Sequence, residues 1–143
     1  MAIIKEKKIR VLSEIENLLP SGAPDGECER TEASYDAFFK ISEGKYEISY
    51  SEMSDSGKIV STIVISESSV KLTRRGAIES DMTFSPGLSD KSLYSLPPYS
   101  FDMVITTRKI RNNLTRDGGR LDIFYNMQIG GADKRVRMTL TVE

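Results

Sequence analysis

Histidine is absent from all 143 residues, tryptophan is absent too, and cysteine occurs once, at Cys28. The missing imidazole removes the commonest general base, the commonest zinc ligand and the usual switch near neutral pH. A lone thiol cannot close an internal disulfide or build a thiolate cluster, and Glu27 and Glu29 flank it with negative charge that disfavours nucleophilic attack. No metal site or cofactor is expected. Long apolar runs are missing as well: nothing approaches the roughly 18 residues of a membrane span, and the N-terminal stretch lacks the apolar core of a secretion signal. These absences set the expectation of a cytoplasmic protein with no membrane partner. Charge of one sign is not in excess either, since 20 Lys and Arg against 21 Asp and Glu leave −1, which argues against a wholly basic nucleic-acid module or an acidic disordered tail. Catalysis would need its base from a carboxylate, a lysine or a tyrosine, and no motif supplies one. The carboxylate pairs Glu14 with Glu16 and Glu79 with Asp81 share strand faces, but at a spacing too common to signal glycosidase chemistry. The chain reads as a binding protein, not an enzyme.

Alternation of apolar and polar residues with period 2 dominates from about residue 30 onward. Tyr46, Ile48 and Tyr50 alternate with Glu47 and Ser49; Val136, Met138, Leu140 and Val142 alternate with Arg135, Arg137, Thr139 and Thr141. Glu43-Gly44, Asp55-Ser56-Gly57, Arg75-Gly76, Asp117-Gly118-Gly119 and Gly130-Gly131-Ala132-Asp133 interrupt the pattern with residues that tolerate positive φ, so neighbouring strands should pair as hairpins. The pattern predicts strands near 4–16, 30–42, 45–53, 58–66, 69–75, 77–85, 91–96, 99–111, 120–129 and 134–142 in one domain over residues 1–143. An open sheet that wide would leave long edges, so the strands must stack as two sheets or close; closure into an antiparallel meander barrel of about 8–10 strands is the preferred solution. Ile9, Leu12, Ile15 and Leu19 also fit helical spacing with Pro20 as a stop, while Ile9, Val11 and Ile15 fit one strand face. Residues 20–29 and 85–100 lack a regular pattern and are expected to be mobile loops.

The run Ser56-Gly57-Lys58-Ile59-Val60-Ser61-Thr62-Ile63-Val64-Ile65-Ser66, continuing through Leu72-Thr73-Arg74-Arg75-Gly76-Ala77-Ile78 to Met82-Thr83-Phe84, resembles the central hairpins of the YwiB-like family of small bacterial proteins. Gly119-Arg120-Leu121-Asp122-Ile123-Phe124-Tyr125-Asn126-Met127, followed by Arg137-Met138-Thr139-Leu140-Thr141, extends the resemblance over most of the chain beyond about residue 30. It implies a lipocalin-like, calycin-type closed barrel and carries no catalytic residues with it. The length of the 20–29 segment and the Pro97-Pro98 step depart from the family pattern at the barrel mouth.

A closed barrel of this size encloses either packed side chains or one small ligand. If Val70 and Leu72 point inward, Arg74 shares their face just before Gly76. A buried guanidinium needs a carboxylate, which makes Arg74 a candidate anchor for an acidic ligand. The plainer alternative places Arg74 at the rim, solvated or paired with Glu79 or Asp81, and a bulge at Gly76 would turn Arg75 inward instead. Tyr35 and Phe39; Tyr99, Phe101 and Met103; and Leu121, Ile123, Tyr125 and Met127 form further inward sets by parity. Tyrosines with polar tips and adaptable methionines suit an amphipathic ligand, and suit an ordinary core equally. The candidate ligand-binding residues are thus Arg74, Tyr35, Tyr99, Met103, Tyr125 and Met127. Ser61 and Ser80 also fall on inward positions. Residues 58–143 carry 13 basic and 9 acidic groups against 7 and 12 in residues 1–57, so Arg108, Lys109, Arg111, Arg116, Arg120, Lys134, Arg135 and Arg137 raise a second reading, an outer patch for RNA or a protein partner. Sheet exteriors are commonly charged for solubility, which weighs against nucleic acid. An uncapped strand would allow homodimerisation under either reading.

Overall fold

The computed structural model describes residues 2–143. Ten strands follow in chain order: β1 (Ile3–Leu18), β2 (Pro24–Ser42), β3 (Lys45–Ser54), β4 (Gly57–Ile65), β5 (Val70–Gly76), β6 (Glu79–Phe84), β7 (Ser89–Leu96), β8 (Tyr99–Thr115), β9 (Gly118–Ile129) and β10 (Ala132–Val142). Each pairs antiparallel with the next, and β1 pairs with β10, so the meander closes into a barrel and the two-sheet alternative falls away. Among the described residues, no helix is long and apolar enough to cross a membrane.

The N-terminal segment is a strand. Both sides of its backbone find ladders, with Ile9 opposite Tyr35 of β2 and Val142 of β10, and Val11 opposite Ala33 and Leu140. That double pairing satisfies its polar backbone in a way no isolated helix turn would, and it puts Ile3, Ile9, Val11 and Ile15 on the inner face. Leu12, which fitted helical spacing, lies on the other face. The expected loop over 20–29 is largely strand: β2 starts at Pro24, and Leu19 N to Ala23 O and Gly22 N to Leu19 O bonds, both 2.8 Å, close a short turn. The long β1 backbone recruits these strand-poor residues, with Glu16 opposite Cys28, so pairing overrides composition. Likewise, 85–100 holds β7, and only its flanking turns are irregular.

The end of the barrel carrying the β2–β3, β4–β5, β6–β7 and β8–β9 turns is here termed the lower end, and the opposite one the upper end. Phe39, Ile48, Ile63, Ile65, Val70, Phe84, Ile105, Leu121 and Ile123 are all buried and fill the lower and middle interior. Each such side chain contributes about 1.5–3 kcal/mol by leaving water. The upper interior is divided. Residues of β1 and β8–β10, including Val11, Met103, Tyr125, Val136 and Met138, give an apolar wall. The wall from β3 to β7 is polar.

Candidate functional site

The polar wall is a row set by register. Tyr50 of β3 stands opposite Ser61 of β4, Ser61 opposite Arg74 of β5, Arg74 opposite Ser80 of β6, and Ser80 opposite Tyr94 of β7. Five adjacent strands therefore present Tyr, Ser, Arg, Ser and Tyr side by side on the inner face. The pairing of β4 and β5 runs without a slip from Val70 to Gly76, so Arg74 stays on the inner parity of Val70 and Leu72. Gly76 ends the strand at φ +121°, where a Cβ would run into the Lys58 carbonyl oxygen. Arg75 faces outward, where its Nη2 donates to both carboxylate oxygens of Asp81 at 3.0 and 3.1 Å. Neither the swap of Arg75 for Arg74 nor the alternative pairing of Arg74 with Glu79 or Asp81 occurs.

Arg74 meets Glu52 of β3 instead, Nη2 to Oε1 at 3.5 Å, with the two side chains 29% and 23% exposed. The other Glu52 oxygen accepts a 3.0 Å hydrogen bond from the Tyr35 hydroxyl of β2, and the Tyr35 ring stacks on Tyr50 at 4.7 Å between centroids. Glu52 was missed from sequence, yet period 2 from Tyr46, Ile48 and Tyr50 leads directly to it. Arg74 Nε and the hydroxyls of Ser61, Ser80 and Thr107 are buried and make no hydrogen bond within the protein. Ser61 is fully buried, and Ser80 and Thr107 nearly so, at 2% and 1% exposed. The Tyr50 phenol neighbours the Ser61 hydroxyl without a well-formed bond between them.

Burial is the main force on the phenols. It pushes Tyr35 up to about 12, helped by the hydrogen bond to Glu52 and that residue's charge. Tyr125 is pushed to about 12 by burial, with the positive charge of Arg74 opposing. Tyr50 is raised for the same first reason, with Arg74 and Ser61 pulling the other way.

Of the residues proposed from sequence, Arg74, Tyr35, Met103, Tyr125 and Met127 converge on the upper interior; Met103 is 1% exposed, Tyr125 packs on Phe84, and Met127 is partly buried against the core. Tyr99 does not join them. It is 64% exposed, because β8 outruns β9: their ladder begins at Met103 opposite Ile129, so residues 99–102 pair only with β7 and project past the barrel wall. Phe101, in the same projection, is 39% exposed. The four principal surface clefts do not reach Arg74 or Glu52. The largest, about 440 Å³, lies at the lower end over Ile3, Ile41, Tyr46 and Ile65, with Glu43, Lys45, Glu67 and Arg116 around it. It mixes charges of both signs and holds none of the unpartnered buried atoms. The upper interior is therefore the better candidate, closed at present by side chains.

Two of the outer basic residues, Arg120 and Arg137, are already engaged. Asp122 sits on the outer face with its side chain 2% exposed, held by Arg120 at 3.0 and 3.2 Å, by Arg137 at 3.4 Å and by the Thr139 hydroxyl at 2.7 Å. Burial pushes its carboxyl up, but the hydrogen bonds from Arg120 and Thr139 and the charges of both arginines outweigh that and hold it below the usual carboxylate value. Arg137 also lies over the Phe124 ring at 5.1 Å.

Comparison with known proteins agrees with the architecture. The chain is 29% identical over 120 residues to the uncharacterized beta-barrel protein YwiB of Bacillus subtilis (strain 168), covering 83% of this chain and 84% of that protein. The crystal structure of the ywiB protein from Bacillus subtilis superposes with a TM-score of 0.80 at 27% identity, covering 98% of this chain and 94% of the other. The family model described as a domain of unknown function, DUF1934, matches residues 21–140, so the chain belongs to that family.

Proposed function

We propose that this protein binds a small acidic or amphipathic molecule without covalent chemistry, in the upper half of its barrel and with Arg74 as the anchor. One observation carries the reading: the Arg74 Nε and the flanking hydroxyls of Ser61 and Ser80 are buried in one row with no partner in the protein. Unpaired buried donors cost about 1–3 kcal/mol each and are rare in native folds, which favours positions completed by a ligand or by ordered water. The apolar wall with Met103, Tyr125 and Met127 would take the less polar part of such a molecule, as in calycin-type barrels. Tyr35 would stand at the entrance. An exposed, free Cys28 fits a reducing compartment such as the cytoplasm.

Native mass spectrometry and thermal shift against short and medium-chain carboxylic acids test the reading. The expected result is a one-to-one complex in the wild type and at least about tenfold weaker binding in Arg74→Ala, a loss of about 1.4 kcal/mol. Failure of every acid to bind would defeat it. The rival outer-surface reading predicts salt-sensitive retention of RNA that depends on Arg108 and Arg111 and is indifferent to Arg74.

A further inference from the structure

Glu52 occupies the place where an acid would bind. Its carboxylate lies against the guanidinium of Arg74 with one oxygen and accepts the Tyr35 hydroxyl with the other. The contact with Arg74 is single and long at 3.5 Å, where a committed arginine–carboxylate pair is bidentate and shorter, as the outward Arg120 and Asp122 pair shows at 3.0 and 3.2 Å. Arg74 Nε, buried beside it, is left without an acceptor. The backbone beneath Glu52 is paired on one side only. The β2–β3 ladder stops at Ala37 opposite Tyr50, so Glu52 pairs only on its β4 side, opposite Ile59. Only side chains bridge the two strands beyond that point, through the Tyr35 bond to Glu52 and the Tyr35 stack on Tyr50.

From these observations, and resting on the binding reading above, we infer that Glu52 is an internal stand-in for the ligand: a carboxylate that a free carboxylic acid displaces from Arg74, opening the β2–β3 gap as it swings toward solvent. The inference names the ligand's head group. Glu52 offers one carboxylate oxygen to the guanidinium and the other to the phenol, so the group that replaces it is one of the same shape and charge, a carboxylate rather than a phosphate. Binding is then a competition, and the wild-type affinity is lowered by the contact that Glu52 must give up.

The test uses hexanoate and inorganic phosphate as probes on the intact chain. Glu52→Gln retains the side-chain length and an acceptor for Tyr35 but removes the charge that competes for Arg74. It should bind hexanoate at least about tenfold more tightly than the wild type, with phosphate unaffected. Glu52→Ala, which removes the competing carboxylate altogether, should tighten hexanoate binding likewise and serves if Glu52→Gln does not fold. Unchanged or weaker hexanoate binding in the folded variants, beside measurable binding by the wild type, overturns the stand-in role and leaves the binding reading intact. A gain for phosphate instead of hexanoate overturns the carboxylate assignment. No hexanoate binding by the wild type or by either variant overturns both.

Discussion

At the scale of single residues, Asp122 and Arg74 are two charged groups held out of full solvent contact that differ in what surrounds them. Asp122 is saturated: two arginines and a threonine occupy its oxygens, so it acts as a clasp between β9 and β10. Arg74 is under-used, with one long contact and a buried nitrogen that bonds to nothing. A saturated charge is expected to serve stability, and Asp122→Asn should lower unfolding free energy by about 1.5–3 kcal/mol, the range for hydrogen bonds to a charged group. Because the native carboxyl is held below its ordinary value of 3.8, the unfolded state takes up a proton first as pH falls. The stabilisation is thus complete above that value, declines as pH drops from 3.8 toward the native pKa, and is gone below it. Denaturant titrations of wild type and variant at neutral pH and in acid should converge at the acid end. A gap that persists unchanged in acid would assign the clasp to packing rather than charge.

At the scale of elements, hairpin turns and strand parities were legible from sequence because glycine-rich turns and period 2 are local signals, and all ten strands lie close to where they dictate. Ladder length was not legible, since it depends on which neighbour offers backbone to pair with. Residues 24–29 become strand only because β1 runs alongside them, and Tyr99 leaves the interior only because β9 ends short of it. The same mismatch leaves residues 24–36 of β2 paired to β1 alone, a long edge open to another chain. That edge carries Asp25, Glu27, Glu29, Glu32 and Asp36 against a single Arg30, so two copies brought together there would set acid against acid. Replacing Glu27, Glu29 and Glu32 with threonine keeps strand propensity and removes the repulsion. The triple variant should self-associate with rising concentration in sedimentation velocity under conditions where the wild type does not. An unchanged sedimentation profile would mean that something other than charge protects the edge.

At the scale of the whole molecule, closure makes the inner face a single environment, and this separates what sequence could reveal about the site from what it could not. Parity alone put Arg74, Ser61, Ser80, Tyr125 and Met103 inside. That Glu52, from a strand two removed from β5, would meet Arg74 required the barrel's curvature, and the unfilled hydroxyls required knowledge of every neighbour. Closure also couples the inner phenols to global stability. Tyr35 and Tyr125 stand at about 12 and Tyr50 is raised, against an ordinary phenol value of 10.0 in the unfolded chain. Burial favours their protonated form, so the stabilisation they give is complete below 10.0 and is lost as pH rises from there through about 12. All three lie against packed rings, Tyr50 and Tyr35 on each other and Tyr125 on Phe84, and the two buried ones, Tyr50 and Tyr125, cannot ionise in place without bringing charge into the barrel. In an alkaline titration followed by phenolate absorbance and far-ultraviolet circular dichroism, three of the six tyrosines should ionise late, together with the loss of β signal. If all six ionise near 10 while the β signal persists, water reaches the upper interior freely, and a carboxylate there would gain little from the low dielectric that makes Arg74 an effective anchor.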